Sequence, residues 1–139
     1  MGIIVTDTGF RADTWSGEYL APQDLAAAQG ATGLGLRIPC SADPAAFRVH
    51  LPRIAMICVR FSHFHEARGF ALARRLRAMG YRGQLRAQGH VLAFHYTLAR
   101  RAGFDEVEIS AALALRQPAE HWRFLGNWRH EEFRSTMPA

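Results

Sequence analysis

The chain of 139 residues contains no lysine, and all 17 of its basic side chains are arginine. It has two cysteines, Cys40 and Cys58, and no uninterrupted apolar run longer than Ile54 to Val59. That run is far shorter than the roughly 20 residues a membrane-crossing helix needs, so no membrane span is expected. The start, Met1-Gly2-Ile3-Ile4-Val5-Thr6, lacks the basic segment and long apolar stretch of a secretory signal. Its fit to the N-myristoylation pattern at Gly2 and Thr6 is loose enough to arise by chance. Two cysteines allow one bridge at most, and Cys58 lies in an apolar run where a buried reduced thiol is the ordinary occupant, which points to the reducing cytoplasm. Neither cysteine belongs to a CxxC, and no GxGxxG follows a strand. Thiol redox catalysis and a bound nicotinamide or flavin therefore have no motif behind them, and no cofactor is expected. The missing lysine, with abundant alanine, reads first as the mark of a GC-rich genome, although arginine's planar fork also suits oxyanions.

What is present is material for one core: 49% hydrophobic residues against 21% charged ones, in a chain of single-domain size. The net charge of +5 is unevenly spread. Between Arg60 and Arg101 there are nine arginines (60, 68, 74, 75, 77, 82, 86, 100 and 101) and one acid, Glu66, or +8, which leaves −3 for the rest.

Apolar periodicity divides the chain into a poorly defined region 1–33, an α/β core 34–110 and a C-terminal helical segment 111–139. Ile3 to Val5 fits a short strand, and the remainder up to Gly33 reads as loop with room for a short helix. Leu34 to Ile38 alternates as a strand, and Asp43-Pro44 supplies an N-cap and first helical residue for a short helix, Pro44 to His50. Ile54 to Phe61, apolar and β-branched, fits a central strand buried on both faces. Glu66 to Met79 has helical spacing closed by Gly80, Gln84 to Ala87 fits a strand, His90 to Ala102 a second helix closed by Gly103, and Asp105 to Ile109 a third strand. The result is an α/β fold with a small parallel sheet built from consecutive β-α-β-α-β units, whose two helices lie on one face. Ala111 to Leu115 is helical, and Pro118 opens a segment placing Trp122, Leu125 and Trp128 on one face. Trp122 and Trp128 then either dock this helix on its own core or anchor a homo-oligomer or partner contact.

The stretches Leu51-Pro52-Arg53-Ile54-Ala55, Arg60-Phe61-Ser62-His63-Phe64, Glu66-Ala67-Arg68-Gly69-Phe70-Ala71-Leu72-Ala73-Arg74, Gly83-Gln84-Leu85-Arg86-Ala87-Gln88-Gly89-His90-Val91-Leu92 and Arg101-Ala102-Gly103-Phe104-Asp105 carry a resemblance. They resemble a bacterial domain-of-unknown-function family of small proteins encoded beside the sulfite reductase haemoprotein, whose oxidoreductase label rests on that neighbourhood. Asp13-Thr14-Trp15 is similar to that family's N-terminal Asp/Trp feature. The resemblance implies an accessory protein of assimilatory sulfite reduction, with the haemoprotein or its electron donor as partner. The chain departs from the family pattern at Ala67, where the family has Gly in Asp-Gly-Arg-Gly, at His90, where it has Asp, and at Phe94-His95, where it has Asp-Gln.

In open parallel sheets the ligand crevice lies beyond the carboxyl ends of the strands. There Arg68 and Gly69 fall in the first turn of a helix, with Arg60, Arg86 and His90 at neighbouring strand ends, and together they form the candidate anion site. The plainer alternative is that Gly69 packs the helix against a strand and the arginines are solvated. His63 and His65 flank Phe64 with Glu66 adjacent, which makes Glu66 with His63 or His65 the candidate acid–base pair of a small enzyme. Alternate histidines on a loop match no metal spacing, so no metal is expected, and His95 on an apolar stripe reads as a core histidine. The +8 block also permits a lesser, nucleic-acid-binding reading, but Arg74, Arg75, Arg77 and Arg82 lie on a helix back and its exit loop without interleaved aromatics.

Overall fold

The structure is a computed structural model that describes residues 2–28, 30–64 and 66–125. Its strands are β1 (Gly2–Thr6), β2 (Gly9–Ala12), β3 (Tyr19–Leu20), β4 (Leu34–Pro39), β5 (Ile54–Phe61), β6 (Gln84–Gly89) and β7 (Glu106–Ser110). The helices are α1 (Arg68–Ala78), α2 (Tyr96–Ala102), α3 (Ala111–Arg116) and α4 (Ala119–Leu125), with 3-10 turns at Pro22–Asp24, Pro44–Arg53 and Ala93–His95. All seven strands form one sheet in the order β2-β1-β7-β6-β5-β4-β3. From β3 to β7 every pairing is parallel and every step goes to the next strand in sequence, while β1 is antiparallel to both β2 and β7.

Stepping always in one direction with right-handed crossovers sends every connection over the same face. Accordingly α1 and α2 pack side by side, and Phe70 of α1 reaches both Phe61 of β5, at 5.2 Å between rings, and Phe104 after α2, at 6.5 Å. Ile57, Val59 and Phe61, with Leu85 and Ala87 of β6 and Val107 of β7, meet Leu72, Ala73 and Leu76 of α1 and Ala99 and Ala102 of α2 in one core. Burying each leucine of this set contributes about 1.5–3 kcal/mol. The α1 stripe arises from the i, i+3, i+4, i+7 spacing of Gly69, Leu72, Ala73 and Leu76, and Gly80 ends the helix at φ +94, a conformation that costs glycine little.

Three expectations need correction. First, β5 is interior but the midpoint of the sheet is β6, because the β1–β2 hairpin extends the sheet beyond β7. Second, the chain after β6 is not a helix from His90: Gly89 turns at φ +107, Phe61 O captures the His90 N–H, and regular α-helix begins only at Tyr96. The apolar spacing from Val91 to Ala102 runs across a turn and a 3-10 segment before the helix proper. Third, region 1–33 contributes three strands where mostly loop is expected. These strands are two to five residues long, and β1 joins the sheet only by pairing with β7 about a hundred residues on, so local pattern carries little of their signal.

Trp122 is fully buried. Its ring stands edge-on to Tyr96 at 6.0 Å and its Nε1–H donates to Gln117 O at 2.9 Å, so it docks α4 on the chain's own core and offers no surface to a partner. Trp128 lies outside the described residues. Among the described residues no helix is long and apolar enough to cross a membrane.

Candidate functional site

With the described helices on one face, the other face of the parallel sheet needs a different cover, and most of its residues are polar. Register places Arg37, Cys58, Arg86 and Glu106 in one row across β4, β5, β6 and β7, and Arg60, Gln88 and Glu108 in the next. Arg86 is only 1% exposed. Its Nε donates to Glu106 Oε2 at 3.1 Å, Nη1 to Glu108 Oε1 at 3.0 Å and to Tyr19 Oη at 3.2 Å, and Nη1 and Nη2 donate to the two oxygens of Asp13 at 3.2 and 3.1 Å. Arg11 adds a bond to Glu106 at 3.3 Å. Two arginines thus meet three carboxylates, which is how charges survive burial. Burial acts to raise the Asp13 pKa, but the hydrogen bonds from Arg86 and from the Trp15 N–H and the charges of Arg86 and Arg11 hold it below the ordinary 3.8.

At the carboxyl ends of β4, β5 and β6, on this same face, Arg37, Arg60, Ser62, Gln88 and His90 line a cavity of about 320 Å³ floored by Phe61 and Gly89. Among the described residues no carboxylate lines it. Arg37 stacks its guanidinium over the Tyr19 ring at 4.4 Å, and among the described residues the Arg60 guanidinium has no ion-pair or hydrogen-bond partner. Gln88 is oriented by donating from Nε2 to Glu108 at 3.1 Å, and His90 by its Nδ1, 3.1 Å from Phe61 O. Two guanidinium groups, a hydroxyl and an imidazole around one hollow can hold a small anion by charge-assisted hydrogen bonds. Larger hollows at the opposite strand edge, of about 480 and 530 Å³, have less chemistry to offer. In the second of them Arg77 is spent on the carbonyls of Tyr81, Gly83 and Gly103 and on Asp105.

The residues expected to form the anion site are divided by the structure. Arg60 and His90 share the cavity. Arg86 points away from the strand ends into the buried cluster. Arg68 is exposed and binds Glu66 through Nε at 3.0 Å and Nη2 at 2.7 Å. Gly69 is buried where an added Cβ would lie 2.2 Å from the Phe61 ring and 2.7 Å from Cys40 Sγ, so its lack of a side chain serves helix–strand packing. Of the acid–base candidates, Glu66 is taken by Arg68, His63 is exposed with no hydrogen bond to Glu66 among the described residues, and His65 lies outside them. His95 is buried, and its Nδ1 accepts from the Leu92 N–H. Both cysteines are free and buried; burial pushes the Cys58 thiol up to about 11 and Cys40 to about 12, so neither is a ready thiolate. Among the described residues no three His, Cys, Asp or Glu side chains gather as a metal-ligand set.

Sequence reasoning overlooks Arg37, Ser62 and Gln88 in the cavity and Tyr19, Glu106 and Glu108 in the cluster. A signal for Gln88, Glu106 and Glu108 exists: Gln84-Leu85-Arg86-Ala87-Gln88 and Glu106-Val107-Glu108-Ile109 alternate strictly, the pattern of strands with one polar face.

These features define a small α/β protein with a one-sided helical layer, a buried charge cluster on the opposite sheet face and a cationic hollow at the strand ends. The chain belongs to the family described as bacterial protein of unknown function (DUF934), whose profile matches residues 35–136. No curated protein and no solved structure matches it.

Proposed function

We propose that this protein is a cytoplasmic accessory factor of assimilatory sulfite reduction that binds a sulfur oxyanion in the Arg37–Arg60–His90 hollow and works with the sulfite reductase haemoprotein or its electron donor. The observation that carries the binding half is that, among the described residues, the Arg60 guanidinium has no partner and its hollow is lined by Arg37, Ser62, Gln88 and His90 and by no acid. The pathway half is supported by the likeness of the central stretches to the family encoded beside the haemoprotein. The acid–base enzyme reading draws no support from the placement of Glu66 and His63.

Sulfite should stabilise the fold by mass action, by about 2.7 kcal/mol at a hundredfold excess over the dissociation constant. Thermal unfolding in sulfite at matched ionic strength checks this: Arg60→Gln should abolish the shift and Arg68→Gln should retain it. Equal shifts in wild type and Arg60→Gln would reduce the effect to general salt and end the binding half. Titration calorimetry against the haemoprotein and its electron donor tests the partner half, with binding that weakens as salt rises. No binding to either at low salt would end it.

A further inference from the structure

The turn at the end of β6 governs what the hollow can accept. Gly89 sits at φ +107, and a Cβ there would lie 2.7 Å from Phe61 O, so glycine alone makes this turn. The turn lays His90 back over the end of β5, where its main-chain N–H and its ring Nδ1 both lie 3.1 Å from Phe61 O. A carbonyl oxygen only accepts, so Nδ1 carries the proton of the neutral ring and Nε2 is left as a lone pair. Among the described residues Nε2 has no hydrogen-bond partner, and the Phe64 ring stands edge-on at 4.8 Å. Around the same hollow are Arg60 and Ser62 from β5 and its exit, Arg37 from β4, and Gln88 from β6 with Glu108 of β7 behind it. The site therefore presents guanidinium donors together with one imidazole acceptor.

Resting on the oxyanion reading above, we infer that His90 makes the hollow select oxyanions that keep a proton over those that have lost every one. A hydroxyl-bearing anion donates to Nε2 while its remaining oxygens accept from Arg37 and Arg60. A fully deprotonated anion of the same shape sets an oxygen lone pair against the Nε2 lone pair. Sites that hydrogen-bond a ligand hydroxyl reject the analogue lacking it, because a polar group is then left unpaired. Among sulfur oxyanions this favours hydrogensulfite over sulfate, which holds no proton near neutrality.

Hydrogenphosphate and sulfate provide the test, since near pH 8 both are tetrahedral dianions that differ by one proton. Titration calorimetry on the full chain at matched ionic strength should show phosphate bound about ten- to a hundredfold more tightly than sulfate. His90→Gln, whose amide can turn to donate or accept, should lose the preference. Equal affinity for the two anions near pH 8 would overturn the selectivity in the wild type alone, whatever the variant does. If neither anion binds, and neither does sulfite, the oxyanion reading itself fails and the selectivity fails with it.

Discussion

A guanidinium that is 1% exposed is tolerable only when carboxylates and hydroxyls take up its donors, and Arg86 has Asp13, Glu106, Glu108 and Tyr19 for that purpose. Asp13 is the outermost of the three acids, 31% exposed at its side chain, and it arrives from the segment before β3. Its folded pKa lies below its unfolded one, so the deprotonated group contributes stability above the unfolded value, and the contribution is lost as pH falls through the folded value. Asp13→Asn should therefore lower stability near pH 7 by about 1–2 kcal/mol. In urea unfolding the gap to wild type should close as pH falls below about 4. A gap of constant size at low pH would assign the contribution of Asp13 to packing instead of charge.

At the scale of elements, the β5–α1 unit shows how one glycine can be read two ways. Arg68-Gly69 at a helix start has the look of an anion site, yet α1 begins there with no side-chain cap, Arg68 is turned to Glu66, and Gly69 lies against Phe61 and Cys40. The close approach of helix to strand requires the missing Cβ. Gly69→Ala should cost about 1–3 kcal/mol by overpacking, seen as a lowered midpoint of thermal unfolding, with sulfite affinity unchanged in calorimetry at a temperature where the variant is folded. Loss of sulfite binding in the folded variant would return this helix start to the site.

For the whole molecule, the +8 of segment 60–101 is partly offset by acids from elsewhere in the chain. Arg68, Arg75, Arg77, Arg86 and Arg100 pair with Glu66, Asp43, Asp105, Asp13 and Asp7, and all but the first of these acids lie outside the segment. The basic block in sequence is thus partly neutralised in space. Asp7, in the β1–β2 turn, also accepts from Tyr96 Oη, which ties the hairpin to α2 beside the buried Trp122. Because Trp122 closes this corner, Trp122→Ala should cost about 3–5 kcal/mol in denaturant unfolding and leave the sedimentation coefficient of the folded protein unchanged. A variant that keeps its stability while an oligomer falls apart would make Trp122 a subunit contact.

The order of elements from Leu34 to Ser110 was legible in the sequence because strands and helices there are specified by neighbours two to four residues apart. Gly80 and Gly103 mark their ends for the same local reason. Parallel pairing and one-sided helices followed from the short βαβ spacing and the handedness of crossovers. The hairpin at the sheet edge and the cluster around Arg86 were decided only by tertiary structure. β1 finds β7 about a hundred residues away, and Asp13 reaches Arg86 73 positions on. The hollow has the same origin: Arg37, Arg60 and His90 come from the ends of different strands, and the register that sets them side by side is chosen by the whole core rather than by any local pattern.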